Sequence, residues 1–174
     1  MNAWACERAP DAVEGCLESC RRCEAVIASV LDQDPSVYAA VGPHLRHCLD
    51  HFQLLLDGWP SGAIDYDDRA RDARTERDPV VARESIRDIV RRLLAIRDHD
   101  LGREISVLQA AAPGRRTLPA RSRLERELVF LSSHTIHHIA IMILSAREAG
   151  VTIPAELGVA YSTEAHRSSL AAHD

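Results

Sequence analysis

The sequence predicts an all-α fold, a single four-helix bundle, on three observations. Alanine, leucine, isoleucine and arginine are abundant, whereas aromatic residues make up only 4% of the chain. Apolar residues recur with the 3.6-residue helical period in four separate segments. No stretch alternates apolar and polar residues for long enough to make a sheet of any size. Helices with one apolar stripe each can bury those stripes only against one another, so a bundle is the simplest solution. The 174 residues are enough for one ordinary domain with its own core, and we read residues 1–174 as that domain.

The first helix is expected over 11–31. Cys16, Cys20, Cys23, Ile27, Val30 and Leu31 form its stripe, and Asp34-Pro35 stops it, because the residue before a proline is pushed out of the helical region. The second is expected over 41–57, with Leu45, Leu49, Phe52 and Leu56 on one face and Gly58 as its C-terminal cap. The third is expected over 79–99. Asp78 can cap it, Pro79 suits the first helical position, and Ile86, Val90, Leu93, Leu94 and Arg97 trace its face. The fourth is expected over 122–149, opened by Ser122 and Glu125 as a reciprocal capping pair and closed before Gly150 and Pro154.

Two connections are longer than a bundle needs, Trp59–Arg77 and Leu101–Arg121, and such loops tend to carry function. In the second, Glu104 to Leu108 and a turn at Pro113-Gly114 can form a small hairpin. The tail, 151–174, is expected to pack in part before fraying.

The basic residues are 21 arginines without a lysine, against 26 carboxylates, for a net charge of −5. That balance argues against a surface built to neutralise phosphates, so nucleic acid is not an expected partner. The arginine clusters Arg91-Arg92 and Arg115, Arg116, Arg121, Arg123 lie among carboxylates and read as solvated faces. Hydrophobic residues at 46% and charged residues at 27% are the balance of a globular protein, not of a membrane protein. The first ten residues have no basic segment followed by an apolar core, and a cytoplasmic location is the expectation.

Five cysteines, an odd number, suggest reduced thiols. Cys16, Cys20 and Cys23 could form a thiolate site with Cys6 or Cys48, but they continue an apolar stripe and lack paired C-x-x-C spacing, so core packing is the better reading. Cys48 is read as core for the same reason.

Six of the nine histidines fall in two clusters, His44, His47 and His51 on the second helix and His134, His137 and His138 on the fourth. Residues four apart share a helix face, with Cβ atoms about 5 to 6 Å apart, so His134 and His138 can share one ion. Leu124, Glu127, Leu131 and Ile141 lie on the same stripe and turn both rings inward. A divalent ion then needs at least a third ligand from another helix, and the second helix offers His44, His47 or His51, which spacing alone does not rank. Three neutral imidazoles leave the ion its full charge and an open coordination position. Asp50, Glu127, His137 and the remaining histidines are candidates for orienting the ligating rings or replacing one. His99, His166 and His173 are expected to be solvent-exposed. Tyr66 and Arg69, in the first long connection, can hold an anionic substrate or the carboxylate of a thiol cofactor, and the plainer reading of Arg69 is an ion pair with Asp65 or Asp72.

The segments Val41-Gly-Pro-His44-Leu-Arg-His47-Cys-Leu-Asp50-His51-Phe52 and Ser133-His134-Thr-Ile-His137-His138 resemble the two metal-bearing helices of the DinB-like superfamily, which includes YfiT-type proteins. Ile64 to Arg69, Arg71-Asp72, Glu76 and Gly158 to Thr163 fit one branch of it, so the resemblance spans about Val37 to Thr163. It implies a four-helix bundle in which His47, His134 and His138 hold zinc, nickel or iron. It also implies a metal-dependent enzyme, a hydrolase or a low-molecular-weight-thiol transferase, with a small-molecule substrate and a thiol as cosubstrate. The alternative is a non-catalytic metal-bound scaffold or sensor that acts through a protein partner; self-association as a homodimer is compatible with either. Many members carry Arg-Gly-Gln after the paired histidines, whereas Ile139-Ala140-Ile141 stands here.

Overall fold

The computed structural model describes residues 9–114 and 117–171; Cys6, Arg115, Arg116 and His173 lie outside them. The described chain is mostly helical, with a small three-stranded sheet at one end. In chain order the helices are α1 (Asp11–Gln33), α2 (Tyr38–Gly58), α3 (Ala73–Arg77), α4 (Pro79–Leu93), α5 (Asp98–Leu101), α6 (Leu124–Glu148) and α7 (Tyr161–Ala171). The strands are β1 (Ala63–Asp65), β2 (Glu104–Ala110) and β3 (Thr117–Arg123).

α1 and α2 both lie along α6, and α4 packs on both α1 and α2. The core they enclose is built from the stripes expected of it, including Cys16, Cys20, Cys23, Ile27, Val30, Leu45, Leu49, Phe52, Ile86, Leu93, Leu128 and Leu131. Each fully buried leucine, isoleucine or phenylalanine contributes about 1.5–3 kcal/mol relative to exposure. Cys16, Cys20, Cys23 and Cys48 are free and buried, and burial pushes their thiols up, as suits packing and not metal capture. α6 is long and apolar enough to cross a membrane by length and composition, but its stripe is spent on α1 and α2.

Four boundaries differ from the sequence reading. α2 begins at Tyr38, three residues before the expected start at 41, because a 3-10 turn at Pro35–Val37 leads straight into it and the Tyr38 hydroxyl donates to the Thr75 carbonyl at 2.8 Å. Gly42 is required there, since a Cβ would stand 2.0 Å from the Glu76 carbonyl oxygen of α3. α4 stops at Leu93, followed by tight turns in which Ala95 and Ile96 donate to the carbonyls of Arg92 and Leu93; Asp78 does cap its start, accepting from the Val80 amide at 2.8 Å.

The third difference lies before α6. Ser122 does not cap that helix: it belongs to β3, its hydroxyl donates to Glu127, and α6 begins two residues later. The strand runs directly into the helix, and the Leu124 amide is satisfied by the Arg103 carbonyl at 3.1 Å, a neighbour supplied by the hairpin.

The fourth is the organisation of both connections. The hairpin forms as β2 and β3, antiparallel with Glu104 opposite Arg123, and Gly114 in its turn adopts φ 69. Trp59–Arg77 holds a 3-10 turn, β1 and α3, with β1 paired in parallel to β2. The tail forms the exposed helix α7, tied down by the buried Arg22, which donates to the carbonyls of Leu157 and Val159 and to both oxygens of Glu164. Arg91 and Arg92 pair at the surface with Asp88 and Asp57.

Candidate metal centre

α2 and α6 cross with their histidine turns facing each other. The register follows from their stripes: Leu45, Leu49 and Phe52 are buried on either side of His47 and His51, and Leu131 and Thr135 flank His134. Nε2 of His47 and Nε2 of His134 stand 3.0 Å apart, and the ligand atoms of His47, His51 and His134 all lie within 4.8 Å of one another. Two nitrogens on a tetrahedral ion at about 2.0–2.1 Å are separated by roughly 3.3 Å, so the first pair already has ligand spacing.

His138 is part of the same group of rings. Its centroid is 4.5 Å from that of His47 and 4.6 Å from that of His134, but its Nδ1 pairs with Nδ1 of His44 at 3.2 Å. His51 is where spacing alone has no means of choosing: it lies just over one turn from His47, and its Nδ1 donates to the His47 carbonyl at 2.8 Å. A carbonyl only accepts, so the proton sits on Nδ1 and the Nε2 lone pair of His51 is free, the tautomer a metal ligand needs.

The charge state is also right for ligation. Burial pushes His47 down to about 3 and His134 and His138 down to about 4, and the crowd of neighbouring imidazoles acts in the same direction. His51 is lowered by burial as well. All four rings are neutral near pH 7 and need lose no proton before binding a cation.

The surrounding residues sort differently. Tyr66 is buried with its ring stacked on His51 at 5.3 Å, and its hydroxyl donates to Glu127 at 2.9 Å, so it walls the cluster and offers no free donor to a substrate. Burial, then Glu127, pushes that phenol up, which keeps it a neutral donor. Glu127 takes further hydrogen bonds from Ser122 and Arg126 and is linked to the histidines through Tyr66. Asp50 is held by Arg46, which also pairs with Glu76, both at 2.9 Å. His137 is exposed on the outer side of α6, and His99 and His166 are exposed too.

Arg69 pairs with neither Asp65 nor Asp72. Its Nη1 donates to Nδ1 of His47, and its Nε is buried without a partner. Asp72 instead caps α3 and pairs with Arg74. The chain around Arg69 turns through Arg71, a non-glycine residue at φ 50. No family model matches the chain, and neither a curated protein nor a solved structure matches it.

Proposed function

We propose that this chain is a divalent-metal protein of the DinB-like, four-helix-bundle type, and that it works as a metal-dependent enzyme on a small molecule. The observation that carries the reading is the meeting of His47, His51 and His134, from two helices, as neutral rings with nitrogens within 4.8 Å. His47 and His134 supply two ligands. The third is His138, by the resemblance, or His51, by its free Nε2. Nitrogen donors of this kind suit zinc, with nickel or iron as alternatives, and not calcium.

Bound there, such an ion would supply a Lewis acid for a carbonyl or a thiolate, which could serve hydrolysis or transfer from a low-molecular-weight thiol. The chain's own part is to hold His51 in the ligating tautomer through the His47 carbonyl, and to wall the site with Tyr66 and Phe130, whose ring lies 5.4 Å from that of His134. One observation favours the non-catalytic scaffold as a second reading: His138 is near enough to become a fourth ligand if it leaves His44, and four protein ligands would close the ion.

Elemental analysis tests the proposal. Protein produced with ample zinc, nickel and iron and kept from chelators should carry about one equivalent of metal. His47→Ala and His134→Ala should lose it, and His137→Ala should keep it. Comparing His51→Ala with His138→Ala identifies the third ligand, and retention of metal by both single variants with full loss in the double variant supports the closed scaffold. Metal-free wild-type protein from such a preparation would overturn the reading. Esterase, amidase and thiol-transfer assays on the loaded protein, with His134→Ala as control, then separate enzyme from scaffold.

A further inference from the structure

The Arg69 contact bears on what the site would take as substrate. An arginine can only donate, so His47 must accept at Nδ1, and its ring proton then sits on Nε2. That proton points along the 3.0 Å line to His134 Nε2. In this arrangement His47 has no lone pair at Nε2 to give an ion. Ligation through Nε2 needs the proton on Nδ1, where it would collide with the Arg69 donor. The Arg69 contact and ligation by His47 at Nε2 therefore exclude one another.

An ion bound by His47 at Nε2 releases Arg69, and the released guanidinium has no ion-pair partner waiting for it among the described residues. No carboxylate oxygen among them lies within ion-pair distance of it: Asp50 is taken by Arg46, Asp72 by Arg74, and Asp67 accepts from the Ala110 amide at 2.6 Å. Its Nε is already buried and unpartnered, a loss that a well-placed acceptor would recover. A divalent ion held by neutral rings, with a guanidinium beside it, makes a site of high positive charge that calls for an anion. The planar fork of arginine matches a carboxylate in shape.

We propose that the substrate or cosubstrate of this site carries a carboxylate, which Arg69 binds beside the metal, so that metal and carboxylate bind cooperatively. This rests on the metal reading above and names the ligand class for that same site. Arg69 both guards the histidine cluster and recognises the anion.

The test is zinc affinity, measured by competition with a chromophoric chelator, with and without acetate, for wild type, Arg69→Gln and Arg69→Lys. In wild type, saturating acetate should raise zinc affinity by about tenfold, within the usual span of coupling between two ligands, and zinc should raise acetate affinity by the same factor. Arg69→Gln, which removes the charge and withdraws the guanidinium from His47 by shortening the side chain, should bind zinc more tightly than wild type without acetate and should lose the acetate response. Arg69→Lys, which keeps the charge but not the fork, should retain only part of that response. Zinc binding that responds equally to acetate in wild type and Arg69→Gln overturns the carboxylate proposal while sparing the metal site. Failure of wild type and of Arg69→Gln alike to bind zinc overturns the metal reading, and the carboxylate proposal with it.

Discussion

Replacing Gly42 by alanine tests how tightly the fold grips the segment that carries Arg69. A Cβ at Gly42 would stand 2.0 Å from the Glu76 carbonyl oxygen, 2.8 Å from its carbon and 3.0 Å from its Cα, all of them backbone atoms. No side chain can rotate away, so α3 must retreat from α2. That strains the Tyr38 hydrogen bond to Thr75 and the Arg46 pair with Glu76. Overpacking of this kind costs about 1–3 kcal/mol, and a contact made wholly with backbone belongs at the upper end. Alanine in a helix interior recovers at most about 1 kcal/mol over glycine. The net is a loss of about 2 kcal/mol, which for a chain of this size lowers Tm by roughly 4–8 °C. The control is Gly102→Ala, where a Cβ meets nothing within 4 Å and the effect should be small. Calorimetric or circular-dichroism melts of both variants decide it. An unchanged or raised Tm for Gly42→Ala would refute the claim that α2 and α3 are in backbone contact.

Acid should weaken the metal-free protein through its histidines. Unfolded histidine titrates near 6.5, whereas folded His47, His134 and His138 titrate at about 3 to 4. Between those values the unfolded chain binds more protons, so stability falls as pH drops through the window, by at most about 1.4 kcal/mol per unit for each ring. Denaturant midpoints near neutral pH and at about pH 5 should differ less in a His47→Gln/His134→Gln variant than in wild type; equal differences would count against the buried neutral rings. Arg22→Met should free the tail by leaving Glu164 and two carbonyls without their donor, costing about 1–3 kcal/mol. Limited proteolysis read by mass spectrometry should then cut within 155–171 first, and wild-type cleavage rates would show that the anchor lies elsewhere.

Periodic features are legible in the amino-acid sequence itself. The cysteine stripe of α1, the facing histidines of α2 and α6 and the Asp78-Pro79 start of α4 follow from spacing and local chemistry, and they stand where helical geometry puts them. The Glu104–Leu108 hairpin is legible from its turn. What the sequence does not reveal is set by neighbours far along the chain. β1 is three residues long and exists because β2 lies beside it. Ser122 has the chemistry of a cap, but the hairpin places it in a strand and gives the helix amide another acceptor. Gly42 and Pro43 fall inside the expected second helix without a visible reason, and the close approach of α3 makes the glycine a requirement of that helix. Within the site, periodicity brings out His134 and His138 together, while the tautomer of His51 and the contact of Arg69 with His47 depend on tertiary placement that spacing does not encode.

The parallel pairing of β1 with β2 makes the Arg69 segment a short arch with both feet anchored. One foot is the sheet, where the Tyr66 amide donates to the Leu108 carbonyl at 3.1 Å and the Asp67 carboxylate accepts from the Ala110 amide. The other is Asp72, which caps α3, and α3 in turn lies against Gly42. An arch of a few residues pinned at both ends has little slack to swing aside as a flap. Arg69 must therefore leave His47 by turning its own side-chain bonds, so exchange between the guarded and the open histidine cluster is a side-chain event that does not require the arch itself to open.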